Sequence, residues 1–298
     1  MQKGDSLRTF NEAVAIVTGG ASGIGRALSE DLARRGAHVV IADRQIALAK
    51  EVAEGINTGW GTANALELDV TDFAATERVV QDTVQTHGRL DYIFNNAGLA
   101  VAGEVGLYQP DDWQRVLDVN LQGVVNGVQA AYSVMLKQGY GHIVNTASMA
   151  GLCPLPMGVS YAATKHAVVG LSTSLRIEAA EAGVRVSVFC PGFIRTQIMY
   201  GGGKYGKDLM QVSSETQEKM VQRTNPMEPA DFALHALNAV ARNKAIIIVP
   251  ARWKLFWWLN RLSPSFVLWL SRRMYKSTKQ MLEGTTPDTR KEGAQQAS

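Results

Sequence analysis

Near its amino end the chain passes from a short apolar strand directly into a glycine-rich turn. Residues 13–18 read AVAIVT, which is typical of a strand buried on both faces of a parallel sheet. The turn over 18–25 reads TGGASGIG, and a helical pattern follows it over 26–35. Glycines let the backbone approach a pyrophosphate, and the amides at the helix N-terminus face the anion. The stretch therefore predicts a dinucleotide site, with candidate contacts at Gly19, Ser22, Gly23, Ile24 and Gly25.

The next predicted strand, over 38–42, ends at Asp43. This position lies about 20 residues beyond the glycines, where a carboxylate accepts hydrogen bonds from an adenosine ribose and repels a 2′-phosphate. Asp43 therefore favours NAD over NADP. Arg44 keeps NADP open as an alternative, because its guanidinium could hold the phosphate. The non-functional alternative for Asp43 is a cap on the end of the strand.

The alternation of apolar strand and helix continues to about residue 250. Long helices are predicted from Pro110 to about 138 and from Tyr161 to about 180. The remaining strands are predicted over 63–68, 90–94, 141–147, 184–190 and 245–249. Strands that alternate with helices form parallel sheets, and ligands bind beyond the carboxyl ends of the strands. We therefore expect an α/β fold with a doubly wound, seven-stranded parallel sheet flanked by helices.

Tyr161 and Lys165 are four residues apart on the predicted helix, so their side chains share one face. The charge of the lysine is expected to favour phenolate and to lower the tyrosine pKa from about 10 toward the working pH. Tyr161 is then a candidate for exchanging a proton with an alcohol or a carbonyl. Ser148 lies thirteen residues upstream, at the carboxyl end of a predicted strand. In isolation such a pair is ordinary amphipathic packing; its neighbours favour catalysis.

Composition narrows the class of protein. Of 298 residues, 46% are hydrophobic and 19% charged, which excludes a disordered chain, and a net charge of +3 does not indicate nucleic-acid binding. Cys153 and Cys190 lack metal-ligand spacing, so no metal site is expected and a reducing, cytoplasmic location is favoured. Residues 1–11 are polar, so no secretory leader is expected, and no apolar run approaches the ~20 residues that span a bilayer.

The ordered set of motifs resembles one family. Over roughly 11–250 the chain is similar to the short-chain dehydrogenase/reductases, in the TGxxxGxG and YxxxK branch. The matching residues are Thr18, Gly19, Gly23, Gly25, Asp69, Asn95, Asn96, Ala97, Gly98, Asn120, Ser148, Tyr161, Lys165, Pro191 and Gly192. The resemblance implies a Rossmann-type sheet of order 3-2-1-4-5-6-7, NAD or NADP as cofactor, and interconversion of a secondary alcohol and a ketone. It also implies a homodimer or homotetramer.

The resemblance assigns catalytic roles to four residues. Tyr161 would be the general acid/base, and Lys165 would bind the nicotinamide ribose and lower the tyrosine pKa. Ser148 would donate a hydrogen bond to the substrate oxygen, and Asn120 would hold a water that links Lys165 to solvent. The alternative is a catalytically silent protein on the same fold that only binds NAD(H) as a sensor or interaction module. The intact set of four argues against it.

The resemblance also supplies further cofactor contacts, in three groups along the dinucleotide. Asp69 and Val70 would flank the adenine. The motif at 96–98 and the pair at 191–192 would line the course of the cofactor, and Ile194 and Thr196 would reach the carboxamide of the nicotinamide.

Two segments are expected to enclose the substrate. Residues 193–225, glycine-rich at 200–206, suggest a mobile lid, and 153–159, rich in Pro, Leu and Met, would form the opposing wall. An apolar pocket of this kind suits a bulky secondary alcohol or ketone.

The tail falls outside the family pattern, so we divide the chain into a catalytic domain over 1–250 and an aromatic, basic helical extension over 251–298. Between 252 and 276 aromatic residues alternate with Lys and Arg, which is typical of a helix at a membrane surface. Ser263-Pro264 should break it into two short pieces. The alternative is packing against the enzyme's own core, its lid or a second subunit. Residues 284–298 are polar and expected to be disordered.

Overall fold

The computed structural model describes residues 7–283, and the expectation of disorder over 284–298 lies outside them. Seven parallel strands form the central sheet in the order β3-β2-β1-β4-β6-β7-β9, the order that the family resemblance implies. These strands are β1 Val14–Thr18, β2 His38–Asp43, β3 Thr62–Glu67, β4 Tyr92–Asn95, β6 Gly141–Thr146, β7 Val184–Pro191 and β9 Ile246–Val249. A second, two-stranded sheet pairs β5 Val101–Ala102 with β8 Lys207–Asp208.

Helices cover both faces of the central sheet. They are α1 Gly23–Arg34, α2 Ile46–Gly59, α3 Phe73–His87, α4 Pro110–Leu117, α5 Gly123–Gln138, α6 Val159–Glu181, α7 Ser214–Arg223, α8 Pro229–Ala241, α9 Trp253–Leu262 and α10 Pro264–Glu283. The side chains of β1 alternate between two apolar cores: Ala15 and Val17 pack with α1, α2 and α8, while Ile16 packs with α3, α5 and α6. Burial on both faces explains why β1 is apolar at nearly every position.

The predicted strands are confirmed to within one or two residues at each end, but the helix from Pro110 to 138 is not continuous. A π-helical turn at Asp118–Gln122 separates α4 from α5. Such turns insert one extra residue into a helix and occur frequently at functional sites. No glycine or proline lies within this turn, and the Gly123 that directly follows it did not lead to a predicted break.

The C-terminal extension forms two helices with a break at Ser263, as the Ser263-Pro264 pair predicts. The second piece, α10, has 20 residues and is not short. Trp253, Phe256 and Trp257 of α9 pack against the core cluster beneath β7 and α6. No helix described between residues 7 and 283 combines the length and apolarity that a membrane crossing requires.

Candidate active site

The glycine turn sits at the carboxyl end of β1, pressed against the end of β4. Gly19 and Gly23 adopt positive φ angles of 63° and 53°, a region that favours glycine. A β-carbon at Gly19 would lie 2.9 Å from the Ala97 Cα, and one at Gly25 would overlap the carbonyl oxygen of Gly19. These glycines allow β1, α1 and β4 to meet without side chains between them.

The first turn of α1 has neither an acidic side chain nor a side-chain cap. Ser22 occupies the N-cap position without a side-chain hydrogen bond to the helix, and no acidic residue lies in the first turn. The free amides and the helix dipole of this 12-residue helix therefore suit an external anion. Together with the glycine cradle, the donor set fits the pyrophosphate of a dinucleotide. Ser22 is exposed at this point, and Ile24 is partly buried behind it.

Thr18 fixes the neighbouring loop, a role that the sequence motif alone did not assign. Its hydroxyl oxygen accepts hydrogen bonds from the Asn96 and Ala97 amides at 2.9 and 3.1 Å. The Asn96 side-chain amide donates in return to the Thr18 carbonyl at 3.1 Å. The ends of β1 and β4 are thereby locked together, which places 96–98 beside the glycine turn.

Asp43 is buried and acts as a cap. Its two carboxylate oxygens accept hydrogen bonds from the Ala21 amide at 3.0 Å and the Gln45 amide at 2.9 Å. The carboxylate thus ties the end of β2 to the glycine turn. This is the role of a strand-end cap, the non-functional alternative for Asp43. A carboxylate has about four lone-pair sites, so two such bonds leave capacity for ribose hydroxyls.

Arg44 and Asp69 border the same end of the cleft. The Arg44 Nε lies 3.6 Å from Asp69 Oδ2, and the guanidinium lies 5.1 Å from the ring centre of Tyr205. Asp69 also accepts hydrogen bonds from the amide and hydroxyl of Thr71. Val70 is buried beside Gly123. Asp69 therefore lies beside Arg44, which follows β2. The residue expected at the adenosine ribose, Asp43, and the pair expected at the adenine, Asp69 and Val70, border the same end of the cleft.

Tyr161, Lys165 and Ser148 meet at the carboxyl end of β6. The Lys165 Nζ lies 5.4 Å from the Tyr161 ring centre and donates a 2.8 Å hydrogen bond to the Thr146 carbonyl. Ser148 Oγ accepts a 3.1 Å hydrogen bond from the Ala150 amide, and the hydroxyl also hydrogen bonds with Tyr161. Because its oxygen accepts from Ala150, the Ser148 hydroxyl proton can be donated to a phenolic or substrate oxygen.

The expected fall in the Tyr161 pKa does not occur in this arrangement. Burial raises the Tyr161 pKa above 10, and the hydrogen bond to Ser148 only partly opposes it. Burial also lowers the pKa of Lys165 from 10.5 to about 8, since the ammonium has little access to water. The expectation was wrong because it counted the charge of the lysine and omitted the desolvation of the phenol.

Asn120 is fully buried and lies in the π-helical turn. Its amide makes a two-way pair with Leu99, accepting from the main-chain N–H at 2.9 Å and donating to the carbonyl at 2.8 Å. A β-carbon at Gly98 would lie 3.3 Å from Asn120 Oδ1 and 3.6 Å from Lys165 Nζ. Gly98 therefore allows Asn120 and Lys165 to approach each other in the interior.

A second polar network behind the site was not predicted. Asn95 donates from Nδ2 to Asn145 Oδ1 at 2.8 Å, and Asn145 donates to Ser172 Oγ at 3.0 Å. The network joins β4, which leads into the 96–98 motif, with β6, which precedes Ser148, and α6, which carries Tyr161 and Lys165. Asn95 was visible in the sequence motif, but nothing marked Asn145 or Ser172 as its partners.

The Pro191-Gly192 motif ends β7 and contacts the C-terminal extension. A β-carbon at Gly192 would overlap the indole nitrogen of Trp253, whose buried N–H finds no partner among residues 7–283. Thr196 lies beside the glycine turn, 3.1 Å from where a Gly23 β-carbon would be. The Ile194 side chain is buried in the core rather than directed into the expected cofactor site, and its main chain forms a parallel bridge with Met227.

The segment over 193–225 closes one side of the cleft. It contains a short helical turn at Gln197–Met199, the strand β8 and helix α7. Its glycine-rich part contacts the adenosine end, where Lys204 donates to Gln45 at 2.7 Å. The opposite wall includes buried Cys153, and the Met157 carbonyl accepts from the Gly103 amide.

The sheet order, the glycine cradle and the Ser–Tyr–Lys cluster together define an oxidoreductase of the dinucleotide-binding α/β class. The family model for the short chain dehydrogenases matches residues 13–202. The chain belongs to this family.

Curated relatives agree with the family. An uncharacterized oxidoreductase of Listeria innocua is 35% identical over 193 residues, which cover 64% of this chain and 78% of that protein. An uncharacterized oxidoreductase of Staphylococcus epidermidis is 34% identical over 195 residues, covering 65% and 84% respectively.

Solved structures agree as well. A short-chain dehydrogenase/reductase of Burkholderia phymatum in complex with NAD superposes with a TM-score of 0.78 at 28% identity, covering 87% of this chain and 96% of that one. Levodione reductase superposes with a TM-score of 0.73 at 27% identity, covering 80% and 96%.

Proposed function

We propose that the protein is an NAD-dependent oxidoreductase that interconverts a secondary alcohol and a ketone. The observation that carries the proposal is the meeting of Tyr161, Ser148 and Lys165 at the carboxyl end of β6, beside the glycine cradle. A nicotinamide dinucleotide bound there would supply hydride transfer. The residues of the chain then have to position the substrate oxygen and move its proton.

In the oxidative direction Tyr161 accepts the hydroxyl proton of the alcohol, and in the reductive direction it returns a proton to the carbonyl oxygen. Ser148 donates a hydrogen bond to the same oxygen as charge develops on it, an effect of about 3 kcal/mol in comparable sites. Lys165, whose pKa is about 8, is largely protonated at neutral pH and stabilises phenolate. Asn120 lies near Lys165 and is proposed to hold the water that connects it to solvent.

NAD is the preferred cofactor in this proposal. Asp43 is 6% exposed at the end of β2, and a carboxylate there opposes a 2′-phosphate. Arg44 contacts Asp69 and Tyr205, so its guanidinium is engaged rather than directed to a phosphate. The solved relative from Burkholderia phymatum binds NAD, which supports the same choice. NADP remains the alternative, and a direct comparison of the two cofactors decides it.

A bulky, apolar substrate is proposed because an apolar cluster beside the candidate site would form a wall of the substrate cleft. The cluster next to β6 and β7 contains Met149 and Cys153, and Trp253 and Phe256 of the extension pack against it. Asn260 of α9 donates a 2.9 Å hydrogen bond to the Leu152 carbonyl, which holds the extension against this wall. The name of the similar levodione reductase is consistent with carbonyl chemistry.

The test is a panel of secondary alcohols of increasing size, followed at 340 nm with NAD and NADP in parallel. Tyr161→Phe should bind NADH with unchanged affinity and lose turnover by at least about a hundredfold. Tyr132→Phe is the matched control and should keep full activity, because Tyr132 of α5 is partly buried against the core and is not part of the candidate site. The alternative of a silent NAD(H)-binding sensor predicts NADH binding and no turnover on any substrate of the panel. Near-normal rates in Tyr161→Phe would remove the proposed mechanism.

Three finer points complete the proposal. The enzyme is a homodimer or homotetramer in a reducing cytoplasmic compartment, where Cys153 and Cys190 stay as buried free thiols.

The catalytic unit spans 1–250, and the extension over 251–298 meets a membrane surface through 252–276. Light scattering on the purified full-length chain checks the first point, since a monomer at micromolar concentration would contradict it.

A further inference from the structure

Each helix of the C-terminal extension has one face on the enzyme and one face in solvent. On α10, Val267 and Ser271 are buried, and Tyr275 donates a 2.7 Å hydrogen bond to Glu104. Lys279 forms an ion pair with the same carboxylate at 2.7 Å. These contacts hold α10 across the enzyme, in agreement with the alternative that the aromatics pack on the protein's own surface. They account for only one face of each helix.

The opposite side, which we call the outer face, carries large apolar side chains in solvent. It comprises Leu255, Trp258, Leu262, Phe266, Leu268 and Trp269. Leu255 is 68% exposed and Leu262 is 79% exposed, although both belong to α9, which packs on the enzyme through its other face. Phe266 and Trp269 stack with their ring centres 5.8 Å apart, so these two rings are adjacent on α10. An exposed apolar surface of this size marks an interaction site.

The outer face is bordered by cations. Lys254, Arg261, Arg272, Arg273 and Lys276 are all exposed. The Arg273 guanidinium lies 4.3 Å from the Trp269 ring centre, and that of Arg261 lies 5.4 Å from the Trp257 ring centre. No aspartate or glutamate occurs anywhere in residues 251–282. The partner of this surface therefore has to offer apolar area and negative charge together.

The composition of the surface distinguishes three occupants. A second copy related by a two-fold axis would face these cations with the same cations, which is unfavourable. The chain's own residues 284–298 contain one apolar residue larger than alanine, Pro287, which is too little to cover six large apolar side chains. An anionic bilayer supplies both requirements, since its acyl region accepts the aromatics and its headgroups attract the cations.

We propose that the outer face docks on an anionic lipid surface, with α9 and α10 lying along the bilayer rather than crossing it. The inference deepens the proposed membrane contact by naming the face, the residues and the lipid charge. It does not depend on the redox chemistry, so a negative vesicle experiment leaves the enzymatic proposal standing, and an inactive enzyme leaves this one standing.

The docking geometry bears on the substrate. Trp253 and Phe256 pack, from one side of α9, against the apolar cluster that we propose as the substrate wall, while Leu255 and Trp258 are exposed. The bilayer would therefore lie within one helix diameter of the substrate wall, about 10 Å. A substrate dissolved in the lipid could then reach the cleft without crossing bulk water.

The experiment is co-sedimentation of the full-length protein with phosphatidylcholine vesicles that contain 0 or about 30% phosphatidylserine. We expect at least tenfold more bound protein on the anionic vesicles, and release as the salt concentration rises, because added salt screens the cations. The triple variant Trp258→Ser, Phe266→Ser and Trp269→Ser should fall to the level of the neutral vesicles. Ile177→Ser is the matched control, since Ile177 is 77% exposed on α6 outside this face and should not matter.

Thermal unfolding and turnover in solution show whether the triple variant is folded, and a second variant covers the case in which it is not. Arg261→Gln with Arg272→Gln should reduce binding to anionic vesicles at least fivefold without touching the apolar side chains. Absence of wild-type binding to either vesicle would overturn the proposal. So would equal binding by the triple variant, or conversion of an oligomer to a monomer by that variant, which would identify the face as a subunit contact.

Discussion

Lys165 and Thr146 are joined by a 2.8 Å hydrogen bond from the lysine Nζ to the threonine carbonyl. The bond connects the middle of the site helix α6 with the last residue of β6, and it orients an ammonium that is only 3% exposed. Burial lowers the pKa of this group to about 8. The charge that we propose to support the Tyr161 phenolate is therefore itself titratable within about one pH unit of neutrality.

Replacement of Lys165 by methionine should lower kcat/KM by at least about a hundredfold. Without the ammonium, Tyr161 phenolate loses a neighbouring positive charge, so the tyrosine pKa rises further. Because Tyr161 must be deprotonated to accept the proton of the alcohol, the acid-side limb of the pH profile for oxidation moves to higher pH. The check is kcat/KM for alcohol oxidation from pH 6 to 10 in both proteins. Lys137→Met, on the exposed end of α5, serves as the control. A pH profile that Lys165→Met leaves in place would show that the lysine only supports the fold.

Gly25→Ala should weaken dinucleotide binding. The added methyl group would overlap the Gly19 carbonyl oxygen and come within 2.6 Å of the Asn96 side-chain amide, so the turn has to open. We expect at least a tenfold loss of NADH affinity by fluorescence titration, together with a lower Tm. Gly170→Ala is the control, because no atom lies within 4 Å of that position on α6. It should be neutral or stabilising by up to about 1 kcal/mol.

Asp43→Asn tests cofactor choice against the capping role. Removal of the negative charge should raise the ratio of kcat/KM with NADP to that with NAD at least tenfold, since the repulsion of a 2′-phosphate is relieved. Stability should fall by about 1–2 kcal/mol, because the Ala21 and Gln45 amides lose a charged acceptor. Asp82→Asn, exposed on α3, controls for net charge. A drop in stability with an unchanged cofactor ratio would leave Asp43 as a strand-end cap alone.

His142 should make the protein less stable in acid. Burial lowers its pKa from 6.5 to about 3, so between these values the unfolded chain binds a proton that the folded chain does not. Its contribution is fully present above pH 6.5 and declines by about 1.4 kcal/mol per pH unit below it. Urea denaturation at several pH values from 4 to 7 measures how the free energy of unfolding changes with pH. Below pH 6.5 this slope should be smaller in His142→Asn than in wild type by about 1.4 kcal/mol per pH unit, which corresponds to one proton. Equal slopes would mean that His142 titrates normally in the folded state.

The sequence predicted the sheet well for a physical reason. Strands buried on both faces, such as β1 and β2, are apolar at nearly every position and end in small or polar residues at the ligand edge. The order of the sheet came from the family resemblance and is confirmed. The two-residue strands β5 and β8 were missed, since a run of that length has no periodicity. Helix α8 was also missed, although Pro229 and Asp231 at its start are recognisable signals.

The sequence predicted which residues form the candidate site better than it predicted their protonation chemistry. Tyr161, Ser148 and Lys165 do come together, because their positions follow from strand ends and helix spacing. The direction of the Tyr161 pKa could not be read from spacing, since it depends on how much water the fold removes. The extension showed the same limit. Its aromatics lie on both faces of α9, and only the fold separates those that contact the core from those that remain in solvent.

The indole nitrogen of Trp253 fills the space that a side chain at position 192 would need. A homologous chain with a larger residue at position 192 should therefore carry a small one at position 253, and the two should change in step during divergence. Transplanting the extension onto another member of the family would then succeed only in a host with glycine after the corresponding proline.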